Sequence, residues 1–266
     1  MAGRFEHSSD VSAGDRIAPR LAGRFGAVGL VCPTGFAAYA RVFHPVGEKR
    51  LRWAEVCSVT GRTPHPLMQW GNISGTRHGT RYFGDWHDGE PAEGALDVGC
   101  LAALATAIGG DAAITIGVWT GYGQYNDSGT SSFALSFSAE DGAVPAPAPA
   151  DGYRPTFDVD LPSSPTLDLP GREYGLFRGG LATLLDTDWP KASGWAWRWN
   201  DTLNLAWPDD HGWFVASEID FDSTIVGGSR ELIDRVLASG LETAEVAPTS
   251  DLSWRGDLVN PLSPPA

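Results

Sequence analysis

Seven prolines fall between Ala143 and Pro170, in runs that read VPAPAPADGYRP and LPSSPTLDLP. Proline fixes its own φ and supplies no backbone donor, so neither a central strand nor a helix interior can form through such a stretch. The chain is thereby divided into a longer N-terminal part and a shorter C-terminal part. Structureless connections of this length are uncommon inside a domain. Neither flank, however, offers a complete sheet with its covering helices. The organisation that follows is a tail over residues 1–22, then one α+β domain over 23–262 with a proline-rich excursion at 143–170. Its sheet is expected to be mixed or mainly antiparallel, with two to three covering helices. An interdomain linker at 143–170 is the alternative.

Local patterns place the elements. GAVGLVC and GFAAYARVFHP, separated by Pro33-Thr34-Gly35, read as two paired strands. LRWAEVCSVTG reads as a short helix closed by Gly61. Residues 71–94 are glycine-rich and polar and read as a loop. From Pro91, the shared face of Leu96, Cys100, Leu101, Leu104 and Ile108 predicts a helix that Gly109 ends. AAITIGVWTGYG and EYGLFRGGL read as strands. Ser229 is placed to cap a helix whose buried stripe is Leu232, Ile233, Val236 and Leu237, and ETAEVAP reads as a last strand.

Composition narrows the function. The 266 residues carry 42% apolar side chains, including 11 Trp and 11 Phe, enough for a full core. The formal charge of −14 disfavours nucleic acid and anionic membrane, whose binding needs a basic footprint. A basic protein partner remains compatible with it. Cys32, Cys57 and Cys100 are widely spaced with no C-x-x-C pair, and no apolar run reaches membrane-spanning length, so a reducing cytoplasm is the expected compartment. No phosphate-binding G-x-x-x-x-G-K-[ST], no H-E-x-x-H and no G-x-S-x-G is present.

The candidate site lies in WFVASEIDFDSTIVGGSREL, residues 213–232. If 213–221 is extended, Trp213, Val215, Ile219 and Phe221 point inward, while Glu218, Asp220 and Asp222 fall on the opposite face. Three like charges some 7 Å apart repel unless arginines, solvent or a cation screens them. Asp220-Phe221-Asp222-Ser223-Thr224 resembles the first motif of the haloacid-dehalogenase-like phosphatases. That resemblance implies Asp220 as nucleophile, Asp222 as acid/base, and the backbone near Thr224 at a magnesium-bound phosphate. It covers about six residues, and none of the 42 residues after Thr224 is the lysine that should follow. The whole block from Glu218 to Gly228 resembles bacterial hypothetical proteins with a Glu-Ile-Asp-x-Asp-Ser-Thr-x-Val-Gly-Gly run, a likeness that implies only a shared fold.

Two further groups qualify as candidates. Trp195, Trp197 and Trp199 alternate, and as a strand would offer a row of rings for stacking or for the core. His78, Asp85 and His87 are weak metal-ligand candidates in a glycine-rich loop whose spacing matches no metal motif. The leading expectation is a cofactor-free binding protein of immunity or regulatory type, meeting a basic partner through Glu218, Asp220 and Asp222. The alternative is a hydrolase that uses a divalent metal at those acids to cleave a glycan or phosphoester.

Overall fold

The computed structural model describes residues 3–75, 86–121, 164–194 and 202–261. Its strands are β1 (Glu6–Ser8), β2 (Ala38–Phe43), β3 (Ala113–Trp119), β4 (Leu167–Leu169), β5 (Arg172–Gly180), β6 (Leu205–Pro208), β7 (Phe214–Ser217), β8 (Ser223–Gly228) and β9 (Thr243–Val246). The helices are α1 (Val28–Val31), α2 (Trp53–Thr60), α3 (Trp70–Ser74), α4 (Val98–Ile108), α5 (Trp189–Ala192) and α6 (Arg230–Leu237). All nine strands belong to one sheet in the order β1-β5-β3-β6-β7-β8-β2-β9, with β4 paired to β5 beside β1. Among the described residues every strand pair is antiparallel. The fold is therefore α+β, built on a mainly antiparallel sheet.

Both faces of the sheet are covered, and this decides how its strands read. Ile114, Ile116 and Val118 of β3 meet Leu101 and Leu104 of α4, and the same cluster takes in Ile233 and Val236 of α6. On the opposite face, Tyr39, Leu176, Leu205, Phe214 and Ile225 pack with Ile17, Val28, Cys32 and Leu252. A third cluster, with Phe43, Val46, Trp53, Val56, Met68 and Ile73, lies under α2 and α3. Strands buried on both sides read as continuous apolar runs rather than as alternation. The burial pattern of β7 is the clearest case, since all four of its residues are inside. Each fully buried Ile or Val contributes on the order of 1.5–3 kcal/mol.

The longer helices sit where their end signals put them. Asp97 caps α4 by accepting from the Gly99 and Cys100 amides, and Gly109 follows the last turn. Ser229 Oγ accepts from the Leu232 amide at the start of α6. Gly61 ends α2 with a φ of 70°. α4 starts at Val98 and not at Pro91 because the intervening residues are engaged elsewhere: Pro91 bridges to Val46, and the Gly94 amide donates to Phe221 O.

Two readings need correction. GAVGLVC is not a strand beside β2, because both edges of β2 are taken, by β8 and β9. Its Val28 and Gly29 amides instead donate to Ser250 O and Pro248 O, and the chain coils into α1. Residues 3–22 are not a loose tail either. β1 adds to the edge of β5, Phe5 packs edge-on against Trp189, and Ile17 is buried in the sheet's second face. Most of the 143–170 excursion lies outside the described residues; within it, β4 forms a hairpin with β5.

The Gly227-Gly228 pair belongs to β8. A Cβ on Gly227 would stand 2.5 Å from Phe36 Cδ2 and 3.0 Å from Cys32 Sγ, so a bare backbone is what lets the α1 segment lie on the sheet. Gly227→Ala is expected to cost about 1–3 kcal/mol, as overpacking does. Gly180→Ala, where an added Cβ meets nothing within 4 Å, is expected to stay within about 0.5 kcal/mol. Urea unfolding of the two variants measures the difference.

Candidate functional site

β7 and β8 form a hairpin, with Ser217 opposite Thr224, and residues 218–222 are its connection. The Phe221 amide closes the turn by donating to Glu218 O, and Phe221 O is itself bound by the Gly94 amide. Glu218, Asp220 and Asp222 thus sit on a turn at one end of the sheet, not along the outward face of a long strand. The expected alternation holds for Trp213 to Ala216, but its two directions lead to two cores. Phe221 packs with the core opposite that of Trp213, because the turn intervenes.

Each carboxylate is held by an arginine from a distant strand. Arg172, the first residue of β5, donates from Nη2 to Glu218 Oε1 at 2.8 Å and to Asp220 Oδ2 at 2.7 Å. Its guanidinium also faces the Trp119 ring, 5.8 Å from the centroid. Side-chain exposure separates the two acids, 16% for Glu218 against 58% for Asp220. Burial raises the Glu218 pKa and Arg172 only partly offsets it. Burial acts to lower the Arg172 pKa, but Glu218 and Asp220 outweigh it and hold the group above its ordinary value. Asp222 turns inward instead, 3.6 Å from Arg41 Nη2, and burial raises its pKa against that arginine's pull.

Arg41 is itself buried in β2. Its Nε donates to Ser223 Oγ at 2.9 Å, and Nη1 donates to Met68 O at 2.8 Å and Pro66 O at 3.2 Å. The Phe43 and Trp53 rings lie 4.5 and 5.5 Å from the guanidinium. Burial lowers its pKa to about 10, with Asp222, Asp257 and Glu242 opposing, so it stays charged at neutral pH.

Next to Arg41 a second polar chain crosses the interior. His44 Nδ1 lies 2.7 Å from Ala92 O, and Nε2 lies 2.8 Å from Thr224 Oγ1. Thr224 Oγ1 is in turn 2.6 Å from Ser217 Oγ. A carbonyl only accepts, so Nδ1 carries the proton, the Thr224 hydroxyl donates to Nε2, and the Ser217 hydroxyl donates to Thr224. The order Ser-Thr-His is superficially that of a nucleophile relay. Every member is 1% exposed or less, and Thr224 stands between serine and imidazole, so the chain braces the hairpin against the 91–95 segment. His65 is likewise occupied at both nitrogens: Nε2 donates to Asp257 and Nδ1 accepts from the Leu67 amide.

His78, Asp85, Trp195, Trp197 and Trp199 lie outside the described residues. His87 is exposed, beside an Asp88 that pairs with Lys49. Among the described residues no group of three or more His, Cys, Asp or Glu side chains is arranged to hold a metal ion. All three cysteines are buried, and burial pushes the Cys57 and Cys100 thiols up to about 11 and 12, which keeps them protonated. Among the described residues no helix is long and apolar enough to cross a membrane. No protein-family model, curated protein or solved structure matches this chain.

Two expectations follow from this geometry. Arg172→Met leaves a half-buried Glu218 charge without its partner, and is expected to cost about 1–2 kcal/mol. Adding Glu218→Gln should recover most of that loss in a double-mutant cycle read by urea unfolding. His44 has its pKa pushed down to about 4, chiefly by burial. The folded state refuses a proton that the unfolded chain accepts below its ordinary value of 6.5. Its contribution is fully present above that value and is lost as pH falls toward 4, on the order of 3 kcal/mol at most. Raised carboxyls at Glu218, Asp222 and Glu242 work in the opposite sense. Stability measured from pH 7 to pH 4 should therefore fall less steeply in His44→Gln than in the parent chain.

Proposed function

We propose that the protein acts by binding, as an acidic module of immunity or regulatory type that engages a basic protein partner through the hairpin end of its sheet. The observation that carries this reading is the two-to-one arrangement of Glu218 and Asp220 on the single guanidinium of Arg172. One negative charge is left over, on a turn fixed at both ends, and Asp220 presents it to solvent. Glu218 and Asp222 support the turn more than they meet a partner. The net charge of −14 adds a long-range field that raises the encounter rate with a cationic protein more than it tightens the complex.

The rival reading, a hydrolase using a divalent metal at these acids, finds less support in the same geometry. Arg172 lies between Glu218 and Asp220, where a shared cation would have to be coordinated. Asp222 faces Arg41 rather than its two neighbours. The three carboxylates therefore point to two separate arginines and do not converge on one point.

A synthetic peptide of alternating Lys and Ser serves as a defined basic probe. Calorimetric titration should show binding that weakens about tenfold from low to near-physiological salt. Asp220→Asn combined with Glu218→Gln should weaken it severalfold, while Glu231→Gln with Asp234→Asn on α6 leaves it unchanged. Equal losses in the two double variants would reduce the effect to bulk charge and remove the hairpin from the proposal.

A further inference from the structure

Four of the six large apolar side chains that stand exposed among the described residues lie in two neighbouring places: Phe25 (68%), and Trp254 (61%), Leu258 (83%) and Val259 (53%). The segment carrying Phe25 is joined to the residues that lead into the 254–259 turn. Gly26 O accepts from the Leu252 amide at 2.7 Å, and Arg24 pairs with Asp251. Phe25 also adjoins the acidic turn, since its ring lies 6.3 Å, centroid to centroid, from the ring of Phe221. The C-terminal part of this surface is built and not frayed. Asp257, with its side chain fully buried, accepts from the Gln69, Val259 and Asn260 amides and from His65. Asn260 binds both the amide and the carbonyl of Thr63. A turn anchored this firmly holds Trp254, Leu258 and Val259 outward at a standing cost in exposed apolar surface, which is the mark of an interaction site.

We infer that Phe25 and the 254–259 turn are the apolar half of a docking surface whose acidic half is the 218–222 turn. The occupant is a cationic amphipathic segment of a partner protein, with Lys or Arg alternating with large apolar side chains. The inference rests on the binding reading above and adds the partner's apolar character to it. Charge complementarity selects the cation: the turn that Phe25 meets through Phe221 carries two carboxylates sharing one guanidinium, on a protein of net charge −14. The ring of Trp254 already accepts a guanidinium, that of Arg255 at 5.0 Å, so its face suits the side chains such a segment brings.

The test compares the Lys/Ser peptide with a Lys/Leu peptide of equal length and charge. The Lys/Leu peptide should bind the parent chain at least about tenfold more tightly. Phe25→Ser with Trp254→Ser should erase that advantage while leaving the Lys/Ser affinity unchanged, which also shows that the variant is folded. Asp220→Asn should weaken both peptides alike. Equal binding of the two peptides by the parent chain would overturn the apolar half and leave the acidic reading standing. Loss of all peptide binding at low salt would overturn both. A loss in the control Leu185→Ser as large as in the aromatic variant would overturn the location. Sedimentation showing that the chain self-associates through Phe25 and Trp254 would assign the surface to a second copy and overturn the proposed occupant.

Discussion

A guanidinium in the interior is the constraint on which the rest of this structure depends. Removing Arg41 from water carries a penalty of several kcal/mol even after relaxation, so its donors must be met with good geometry. They are met by Ser223, Met68, Pro66 and Asp222, and the charge is flanked by two aromatic rings. Those partners come from two places in the fold. Ser223 and Asp222 fix where the β7–β8 turn ends. Pro66 and Met68 fix the segment after α2, and that segment in turn supplies the Gln69 amide and the His65 ring to Asp257. The acidic turn and the C-terminal turn, far apart in the sequence, are positioned from one buried charge.

The same constraint explains why three carboxylates at alternate positions have three different fates. Asp222 is drawn inward to Arg41, Glu218 is half sunk against Arg172, and Asp220 reaches water on the other side of that arginine. Repulsion among them is reduced because the hairpin turn points them apart and two guanidinium groups stand between them. The turn has no glycine, proline or asparagine, and its own Phe221-to-Glu218 hydrogen bond, the Gly94 contact and these ion pairs together hold its shape.

This is also where the sequence stops being readable. α2, α4 and α6 were legible because their signals are local: an Asp97 or Ser229 cap, a Gly61 or Gly109 stop, and an apolar stripe between. The α+β class, with a mixed or mainly antiparallel sheet, followed from strand-like runs broken by turn residues. α1 was not legible, since its apolar, β-branched residues coil only because Pro248 and Ser250 take their amide hydrogens. The need for arginines near Glu218, Asp220 and Asp222 could be argued from like-charge repulsion. Which arginines could not: Arg172 lies 46 positions from Glu218, and Arg41 is 182 positions from Ser223. The alternation in 213–216 is legible, but the acids that follow it hide that its second face is also a core. Phe214 and Ala216 on that face were the available sign that it was covered.

The distribution of charge matters more than its total. Among the described residues, Arg4, Arg24, Arg41, Arg50, Arg172, Arg178 and Arg230 are each engaged with an Asp or Glu of the same chain. With so many of its cations committed internally, the protein offers an approaching partner mainly acids that have no guanidinium of their own, or only a share in one. Such a surface steers a cation toward it over a Debye length but holds it weakly, because exposed ion pairs contribute little once formed. A lasting complex then needs buried apolar contact beside the charge. The proposed apolar contact begins at Phe25, whose ring faces Phe221 in the turn that carries Asp220, the one carboxylate of the three that the fold leaves open.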